Sequence, residues 1–230
     1  MGDIAEKIYS IAVDGPSGAG KSSLAKAIAA ELHILYVDTG AIYRTIGCYA
    51  RRKGVETADT EAVIALLQEV EIGMRYDAQG LQHMLLHGED VTEEIRLPEM
   101  SLYASAVSAI PEVRAFLLEM QRDFARKSSV IMDGRDIGTV VLPHADVKIF
   151  LKADVEVRAR RREIELQERG TPRPYEQVLE EMRQRDYNDT HRSAAPLRAA
   201  EDAVIVDTSD LDFQQSKEKL LEIIREKVGL

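Results

Sequence analysis

The loop at residues 15–22 has the clearest chemical signature in this chain of 230 residues. It reads Gly-Pro-Ser-Gly-Ala-Gly-Lys-Ser and matches the pattern GxxxxGK[ST] in full. In such a loop, successive backbone N–H groups surround an anionic oxygen, and the positive end of the following helix adds to the attraction. Lys21 would reach the β- and γ-phosphates, and the Ser22 hydroxyl would bind Mg²⁺. The loop therefore predicts a nucleoside triphosphate site.

Strands and helices alternate along the chain around this loop. An alternating β-branched run precedes the loop at 8–13, and alanine and leucine follow it with helical spacing at 21–32. Further short apolar runs lie at 34–37, 129–132, 147–151 and 203–206, and an amphipathic helix is predicted at 213–228. This order predicts an α/β fold, in which a central parallel five-stranded sheet is covered by helices on both faces.

Two stretches depart from this alternation. Apolar runs at 70–76 and 81–87 flank an Asp-Ala-Gln-Gly turn, which predicts a β-hairpin in a small inserted subdomain. Helical patterns surround it, near 40–53, 60–69, 98–109 and 111–127. Between 155 and 185, two charged helical patterns are separated by Gly-Thr-Pro-Arg-Pro, which is typical of a hinged flap.

Composition argues against several classes of protein. The net charge of −10 is unsuited to a nucleic-acid polymer or a membrane surface as partner, and no apolar run approaches the length of a membrane span. The single cysteine, Cys48, rules out an internal disulfide or a thiolate metal cluster. Residues 1–7 are acidic and run directly into the first strand, so we expect no secretory leader and a cytoplasmic protein. We also expect a monomer, because no long apolar heptad stands out.

Arginine is concentrated in one part of this acidic chain. Ten arginines and no lysine lie between 153 and 216, which favours the planar, bidentate fork that suits phosphate. The members of the predicted flap and the region behind it are Arg158, Arg160, Arg161, Arg162, Arg169, Arg173, Arg183, Arg185 and Arg192. For any one of them, notably Arg160 and Arg169, a solvated ion pair with a nearby glutamate is the alternative.

These features favour phosphoryl transfer to a bound acceptor over nucleotide-driven switching. A transferase must neutralise two anionic substrates and exclude water, and an arginine-rich flap does both. Asp133 ends an apolar run as in hydrolysing motors, but Arg135 follows it, and no Asn-Lys-x-Asp guanine motif occurs. A regulatory or assembly ATPase that closes its flap remains the alternative from another class.

Four sequence blocks together resemble bacterial cytidylate kinases: DGPSGAGK at 14–21, DTGAIYR at 38–44, DGRDIGTVV at 133–141 and RDxxDxxR at 185–192. The resemblance runs from about residue 8 to the C-terminal helix. It implies a P-loop three-layer αβα fold and transfer of the ATP γ-phosphate to CMP or dCMP with Mg²⁺. It also implies a core at 1–39 and 128–230 with a lid at about 155–190, and an acceptor-binding insert at 40–127 with a small sheet at about 70–95. Kinases for UMP, AMP or shikimate are the alternative within this class.

The resemblance also implies the residues of both sites. The ATP-binding residues would be Gly15, Pro16, Ser17, Gly18, Ala19, Gly20, Lys21, Ser22 and Ser23. Ser22-Ser23 stands where some relatives have Gly-Thr, and Ser22 is the positional match for the metal ligand. The acceptor residues would be Thr39, Tyr43 and Arg44 at the entrance, Ser105, Arg114 and Asp136 at the cytosine, Arg135 at the phosphate, Arg185 and Asp189 at the sugar, and Arg192 near the base or phosphate.

Asp136 has the chemistry to distinguish cytosine from uracil. Its carboxylate accepts a hydrogen bond from an exocyclic amine, whereas a uracil carbonyl at the same place would repel it and leave it unpaired. The alternative is an ion pair with the adjacent Arg135 or a helix cap. Tyr43 would stack or hydrogen-bond in the pocket, with core packing as the alternative.

Transfer to a phosphate needs no general base, because the attacking oxygen is already anionic at neutral pH. Catalysis should come from alignment and charge stabilisation by Lys21, Arg158 and Arg162. Asp133 and Asp38 would either order metal-bound water or cap the next helix. His83 and His87 lie in the predicted hairpin, and we expect neither chemistry nor a shared metal there.

Overall fold

The structure is a computed structural model that describes residues 8–78 and 80–230. Residues 1–7, from which the absence of a leader was predicted, and Gln79 of the predicted hairpin turn lie outside the described residues.

The strands and helices follow the sequence closely. The strands are β1 (Ser10–Asp14), β2 (Leu35–Asp38), β3 (Ile72–Tyr76), β4 (Gln82–Leu86), β5 (Glu89–Asp90), β6 (Val130–Gly134), β7 (Val147–Lys152) and β8 (Val204–Asp207). The helices are α1 (Lys21–Leu32), α2 (Thr39–Arg52), α3 (Thr60–Leu66), α4 (Met100–Ser108), α5 (Pro111–Lys127), α6 (Val155–Glu168), α7 (Tyr175–His191) and α8 (Phe213–Val228).

A five-stranded parallel sheet forms the centre, in the order β2-β6-β1-β7-β8. The side chains of β1 alternate between its faces. Ile11 and Val13 join the apolar cluster of α1 and α8, whereas Ala12 joins the cluster of α2 and α5. Because both faces of the sheet are covered, most residues of its central strands are buried. The predicted three-layer αβα architecture is confirmed.

Helix boundaries follow from local capping. The Asp38 carboxylate accepts from the Ala41 N–H at 2.8 Å and so starts α2 directly after β2. Pro111 occupies the first turn of α5, as predicted. By contrast, α4 begins at Met100, two residues after the proline expected to open it. The second flap helix continues to His191, beyond the predicted end at 185.

A second, antiparallel sheet of β3, β4 and β5 lies between α3 and α4 in the chain. The predicted hairpin is present, with Tyr76 opposite Gln82 at the end next to the turn. The third strand, β5, has only two residues and was not predicted. No helix in the described residues combines the length and apolar character needed to cross a bilayer.

The carboxyl ends of the parallel strands place the motifs at one edge of the central sheet. The phosphate loop follows β1, the DTG block follows β2, the GRD block ends β6 and the flap follows β7. In open α/β sheets, ligands bind at this edge. The fold therefore brings together four segments that are far apart in sequence.

Candidate active site

The phosphate loop is held by close packing against β7 and by its own lysine. Gly15 has a φ of 147°, and a Cβ there would lie 2.1 Å from the Leu151 carbonyl oxygen, so only glycine fits. The Lys21 ammonium donates to the Pro16 carbonyl at 2.7 Å. Burial, with Arg135 nearby, holds the Lys21 pKa well below its usual value. A phosphate anion would reverse that effect.

Asp133 joins three elements beside this loop. Its carboxylate accepts from the Ser22 hydroxyl at 2.7 Å and from the Tyr36 hydroxyl at 2.9 Å, while its carbonyl accepts from the Thr39 hydroxyl at 2.7 Å. Burial and the nearby Asp38 raise the Asp133 pKa. A hydroxyl oxygen and a carboxylate oxygen in contact are the hard donors that Mg²⁺ prefers, so these residues fit the metal.

Asp14 fixes the backbone that follows the GRD block. Its carboxylate accepts from the N–H groups of Ile137 at 2.8 Å and Gly138 at 2.7 Å, in a π-helical turn at Ile137–Val141. Burial outweighs these two bonds and raises the Asp14 pKa to about 6. The turn begins directly after Asp136, which it therefore orients.

Four arginines converge between the phosphate loop and the predicted acceptor site. Burial of Arg185, with Arg135, Arg44 and Arg162 close enough to contribute, lowers its pKa to about 10. The Nε atoms of Arg44 and Arg185 are buried and have no hydrogen-bond partner among the described residues. Asp189, whose carboxylate accepts from Arg135 Nε at 2.7 Å, supplies part of the opposing charge. Such a cluster suits an anionic ligand.

Asp136 lies at the other end of this cluster. Asp136 is 4% exposed, and its carboxylate forms an ion pair with Arg114 and lies 3.8 Å from Arg192 Nη2. Within the part of the chain that the structure describes, Arg192 Nη2 has no hydrogen-bond partner. The Arg114 guanidinium also donates to the Ser108 carbonyl at 3.1 Å and lies 5.4 Å from the centre of the Tyr43 ring. The adjacent Arg135 is not its partner, and no side-chain cap bond is made, so neither alternative for Asp136 applies here.

A cavity of about 280 Å³ opens beside this ion pair. Its lining residues include Tyr43, Arg114, Gln121, Val140 and Ala195. Gln121 is 1% exposed and interacts with the Tyr43 hydroxyl, and its Nε2 group has no hydrogen-bond partner in residues 8–78 and 80–230. An apolar lining with a few convergent donors is typical of a small-molecule pocket.

The flap lies against the phosphate loop. Arg158 is 4% exposed and donates to the Ser17 carbonyl at 3.0 Å and to Asp186, with a shortest distance of 2.6 Å. Arg162 is partly exposed and pairs with Glu165 at 2.7 Å. The other flap arginines contact nearby groups: Arg160 with Glu163, Arg161 with the carbonyls of Thr208 and Leu211, Arg169 with Glu165, Arg173 with Glu181 and Arg183 with Glu156. The glutamate alternative for Arg160 and Arg169 is therefore confirmed.

Asp38 caps a helix, which was one of the two predicted alternatives for it, and it also forms an ion pair. It caps α2 and pairs with Arg44 at 2.7 Å. Ser105, on α4, accepts through its carbonyl from the Ser108 hydroxyl at 3.0 Å, which places it next to the Arg114 contact. Cys48 is fully buried in the core, and burial raises its pKa to about 12.

Several residues that shape the site were not predicted. Tyr36, Gln82 and Gln121 belong to none of the four motif blocks, and Asp186 lies in the RDxxDxxR block but was given no role there. The one available signal was Asp186, an acid next to Arg185 in an arginine-rich helix. Among the residues that the structure describes, no group of three or more His, Cys, Asp or Glu side chains is arranged to hold a metal ion.

The fold and the site define a P-loop nucleotide-binding protein of the three-layer αβα type. A protein of uncharacterized function from Eubacterium ventriosum has the same fold, with a TM-score of 0.51, 15% identity and coverage of 96% of this chain and 99% of that one. Residues 11–226 match the family model for cytidylate kinase. The chain belongs to the cytidylate kinase family.

Curated relatives agree with this assignment. A cytidylate kinase from Caldicellulosiruptor saccharolyticus is 47% identical over 97% of this chain and 98% of its own. A cytidylate kinase from Carboxydothermus hydrogenoformans is 47% identical over 94% of this chain and 97% of its own. The similarity therefore extends over nearly the whole chain.

Proposed function

We propose that this enzyme transfers the γ-phosphoryl group of ATP to CMP or dCMP, giving ADP and CDP or dCDP. The observation that carries the proposal is a set of buried arginine N–H groups, on Arg44, Arg185 and Arg192, between the phosphate loop and Asp136. They have no hydrogen-bond partner among the described residues. A buried donor without a partner costs free energy, and an anionic nucleotide would supply the missing acceptors. Family membership points to the same acceptor.

The chain would consist of a core at 1–39 and 128–230 and an insert at 40–127, each with its own part of the site. The core carries the phosphate loop and a lid at about 155–190, and the insert carries α2, the small sheet and α5. Acceptor groups would come from both units, because Arg44 and Arg114 lie in the insert whereas Arg135, Asp136 and Asp189 lie in the core. The acceptor site would thus lie between the core and the insert.

The loop at 15–23 would bind ATP through its backbone N–H groups and the Lys21 ammonium. Ser22 and Asp133 would hold Mg²⁺, which when bound would neutralise charge on the β- and γ-phosphates. The Ser22 hydroxyl is already oriented by Asp133 at 2.7 Å. Tyr36 holds the second carboxylate oxygen of Asp133, so the carboxylate plane is fixed before any ligand enters.

The acceptor would lie with its phosphate toward Lys21 and its base toward Asp136. Arg44, Arg135 and Arg185 would bind the phosphate and sugar, with Asp189 holding Arg135 in place. At the base, the Asp136 carboxylate would accept from the cytosine amino group. Thr39, Ser105, Tyr43, Arg114 and Arg192 would complete the pocket.

Transfer would rely on alignment and charge rather than on a base. The acceptor phosphate is already anionic, so the enzyme must hold it in line with the γ-phosphorus and exclude water. Lys21, Arg158 and Arg162 would stabilise the transferring group. Arg158 already contacts the phosphate loop through the Ser17 carbonyl, and Arg162 needs only to exchange Glu165 for phosphate.

The experiment is an assay of ADP release with Mg·ATP and each of CMP, dCMP, UMP, AMP and shikimate, and with no acceptor. Rapid release with CMP and dCMP, and little with the others, would support the proposal. Faster release with UMP, AMP or shikimate would assign another acceptor. ADP release that does not depend on an acceptor would instead indicate a regulatory ATPase.

A further inference from the structure

Two facing side chains of the small sheet are bonded to the central sheet. Tyr76 on β3 and Gln82 on β4 are directly opposite each other. The Tyr76 hydroxyl donates to the Tyr36 carbonyl at 2.9 Å. Gln82 Oε1 accepts from the Asp38 N–H at 2.7 Å, and its Nε2 donates to the Asp38 carbonyl at 3.2 Å. We call Tyr76 and Gln82 the hairpin clamp.

The hairpin clamp binds to β2, a strand whose backbone groups are paired with another strand on one side only. In the central sheet, β2 is an edge strand and pairs with β6 on one side only. The backbone groups on its other side would face solvent or a neighbouring chain. Gln82, which is 8% exposed, takes both backbone groups of Asp38 with a single amide. A two-point contact fixes the orientation of that peptide as well as its position.

The clamped segment holds groups of both substrate sites. The Asp38 carboxylate caps α2 through Ala41 and pairs with Arg44 at 2.7 Å. Two residues earlier, the Tyr36 hydroxyl holds Asp133 at 2.9 Å. A shift of this segment would therefore move Arg44 on the acceptor side, and the carboxylate beside Ser22 on the donor side. Of the two, Arg44 is linked directly to the residue that Gln82 binds.

We propose that Gln82 is a positioning residue for the acceptor: through the Asp38 backbone it fixes the Asp38 carboxylate, which in turn orients Arg44 toward the acceptor phosphate. The inference rests on the proposed function, because it assigns a consequence to Arg44 in that reaction. It gives the small sheet a role beyond packing, since the turn end of its hairpin aligns the acceptor.

The test compares Gln82→Leu with the intact enzyme in steady-state kinetics. Loss of both amide bonds should raise KM for CMP about tenfold, while KM for ATP stays within about twofold. Gln82→Glu keeps the acceptor for the Asp38 N–H but places a carboxylate oxygen against the Asp38 carbonyl, so its KM for CMP should also rise. If both variants retain the KM of the intact enzyme, the inference is wrong.

A double-mutant cycle with Arg44→Met separates positioning from general damage. If Gln82 acts through Arg44, adding Gln82→Leu to Arg44→Met should change KM for CMP by less than about twofold. A further tenfold rise in that background would overturn the inference.

Thr92→Val is the matched control within the small sheet. It removes the bond that Thr92 Oγ1 accepts from the Met84 N–H at 3.0 Å, and makes no change at β2. It should lower the melting temperature and leave KM for CMP unchanged. If Thr92→Val raises KM for CMP as much as Gln82→Leu does, the effect is sheet stability and the inference fails. An intact enzyme that does not phosphorylate CMP would instead refute the proposed function.

Discussion

Replacing Asp136 with asparagine removes one negative charge from the buried end of the acceptor pocket and keeps the side-chain shape. In the structure, this carboxylate is paired with Arg114 and lies 3.8 Å from Arg192 Nη2. The two arginine side chains are only 10% and 7% exposed. The variant therefore leaves two buried cations without a counter-charge, and it removes the acceptor for the cytosine amino group.

Two effects of different size follow. Leaving buried charges uncompensated costs about 3–5 kcal/mol of the free energy of unfolding. For CMP, losing one charged hydrogen bond costs about 1.5–3 kcal/mol of transition-state binding, which lowers kcat/KM by about 10- to 150-fold. For UMP the asparagine can turn its amide NH₂ toward the base carbonyl, so kcat/KM should stay constant or rise. The CMP-to-UMP selectivity should fall by at least about tenfold.

The assay is kcat/KM for CMP and UMP on Asp136→Asn and on the intact enzyme, with urea unfolding run in parallel. Asp202→Asn is the matched control, because Asp202 pairs with Lys148, another buried cation, at 2.8 Å, with no contact to the pocket. It should lose stability and keep the selectivity. If Asp136→Asn lowers kcat/KM for CMP and UMP equally, Asp136 does not read the base and the reasoning is refuted.

Three further predictions concern the loop, the lid and the core. Lys21→Met should lower kcat by at least about 10²-fold, because the γ-phosphate loses its buried cation. The kinetics of ADP release measure this change in kcat, and an effect confined to KM would contradict the prediction. Arg162→Ala should lower kcat without loss of stability, whereas Arg161→Ala should lower the melting temperature and leave kcat unchanged; the reverse pattern would refute the lid assignment. Between pH 4 and 6, the raised pKa of Asp14 keeps a proton in the folded state that the unfolded chain has lost. The free energy of unfolding of the intact enzyme relative to Asp14→Asn should therefore fall by about 3 kcal/mol as pH rises from 4 to 6, and it should stay constant above pH 6. Urea unfolding at each pH tests this, and a difference that does not vary with pH would exclude it.

Much of the fold is readable from periodicity, and the exceptions have physical reasons. The helices at 21–32, 111–127 and 213–228 are long or strongly capped and agree with their predicted bounds. The two-residue strand β5 is too short to show alternation, and pairs with β4 only because the hairpin is already formed. The π-helical turn at Ile137–Val141 depends on two bonds from Asp14, which is 123 residues from the first of its partners. No local pattern encodes such a contact.

The sequence predicted candidate residues for the site, but it did not predict which of them pair with one another. The motif blocks identified Asp136, Arg135 and Asp189, but the sequence offered Arg135 as the neighbour of Asp136. The structure instead pairs Asp136 with Arg114, 22 residues away, and Arg135 with Asp189, 54 residues away. Tertiary packing closes these sequence separations: α5 joins the apolar cluster on one face of the sheet, and α7 packs against α6. Helix spacing alone was enough to predict the exposed ion pairs of the flap, which join residues three or four positions apart.

The hairpin clamp shows what motif reading leaves out. Its two side chains have their partners on the distant strand β2, so their residue types carry no signal by themselves. Gln82 is an ordinary polar residue of a hairpin strand, and its role follows only from its two bonds to Asp38.

A competition between acceptors in one vessel tests phosphoryl transfer to a cytidine nucleotide most directly. The enzyme would be given Mg·ATP with equal concentrations of CMP and UMP, and the nucleotides and inorganic phosphate would be separated and quantified early in the reaction. We expect ADP to equal the sum of CDP and UDP, CDP in at least about tenfold excess over UDP, and almost no inorganic phosphate. UDP in excess of CDP, or inorganic phosphate that matches ADP, would contradict phosphoryl transfer to a cytidine nucleotide at this site.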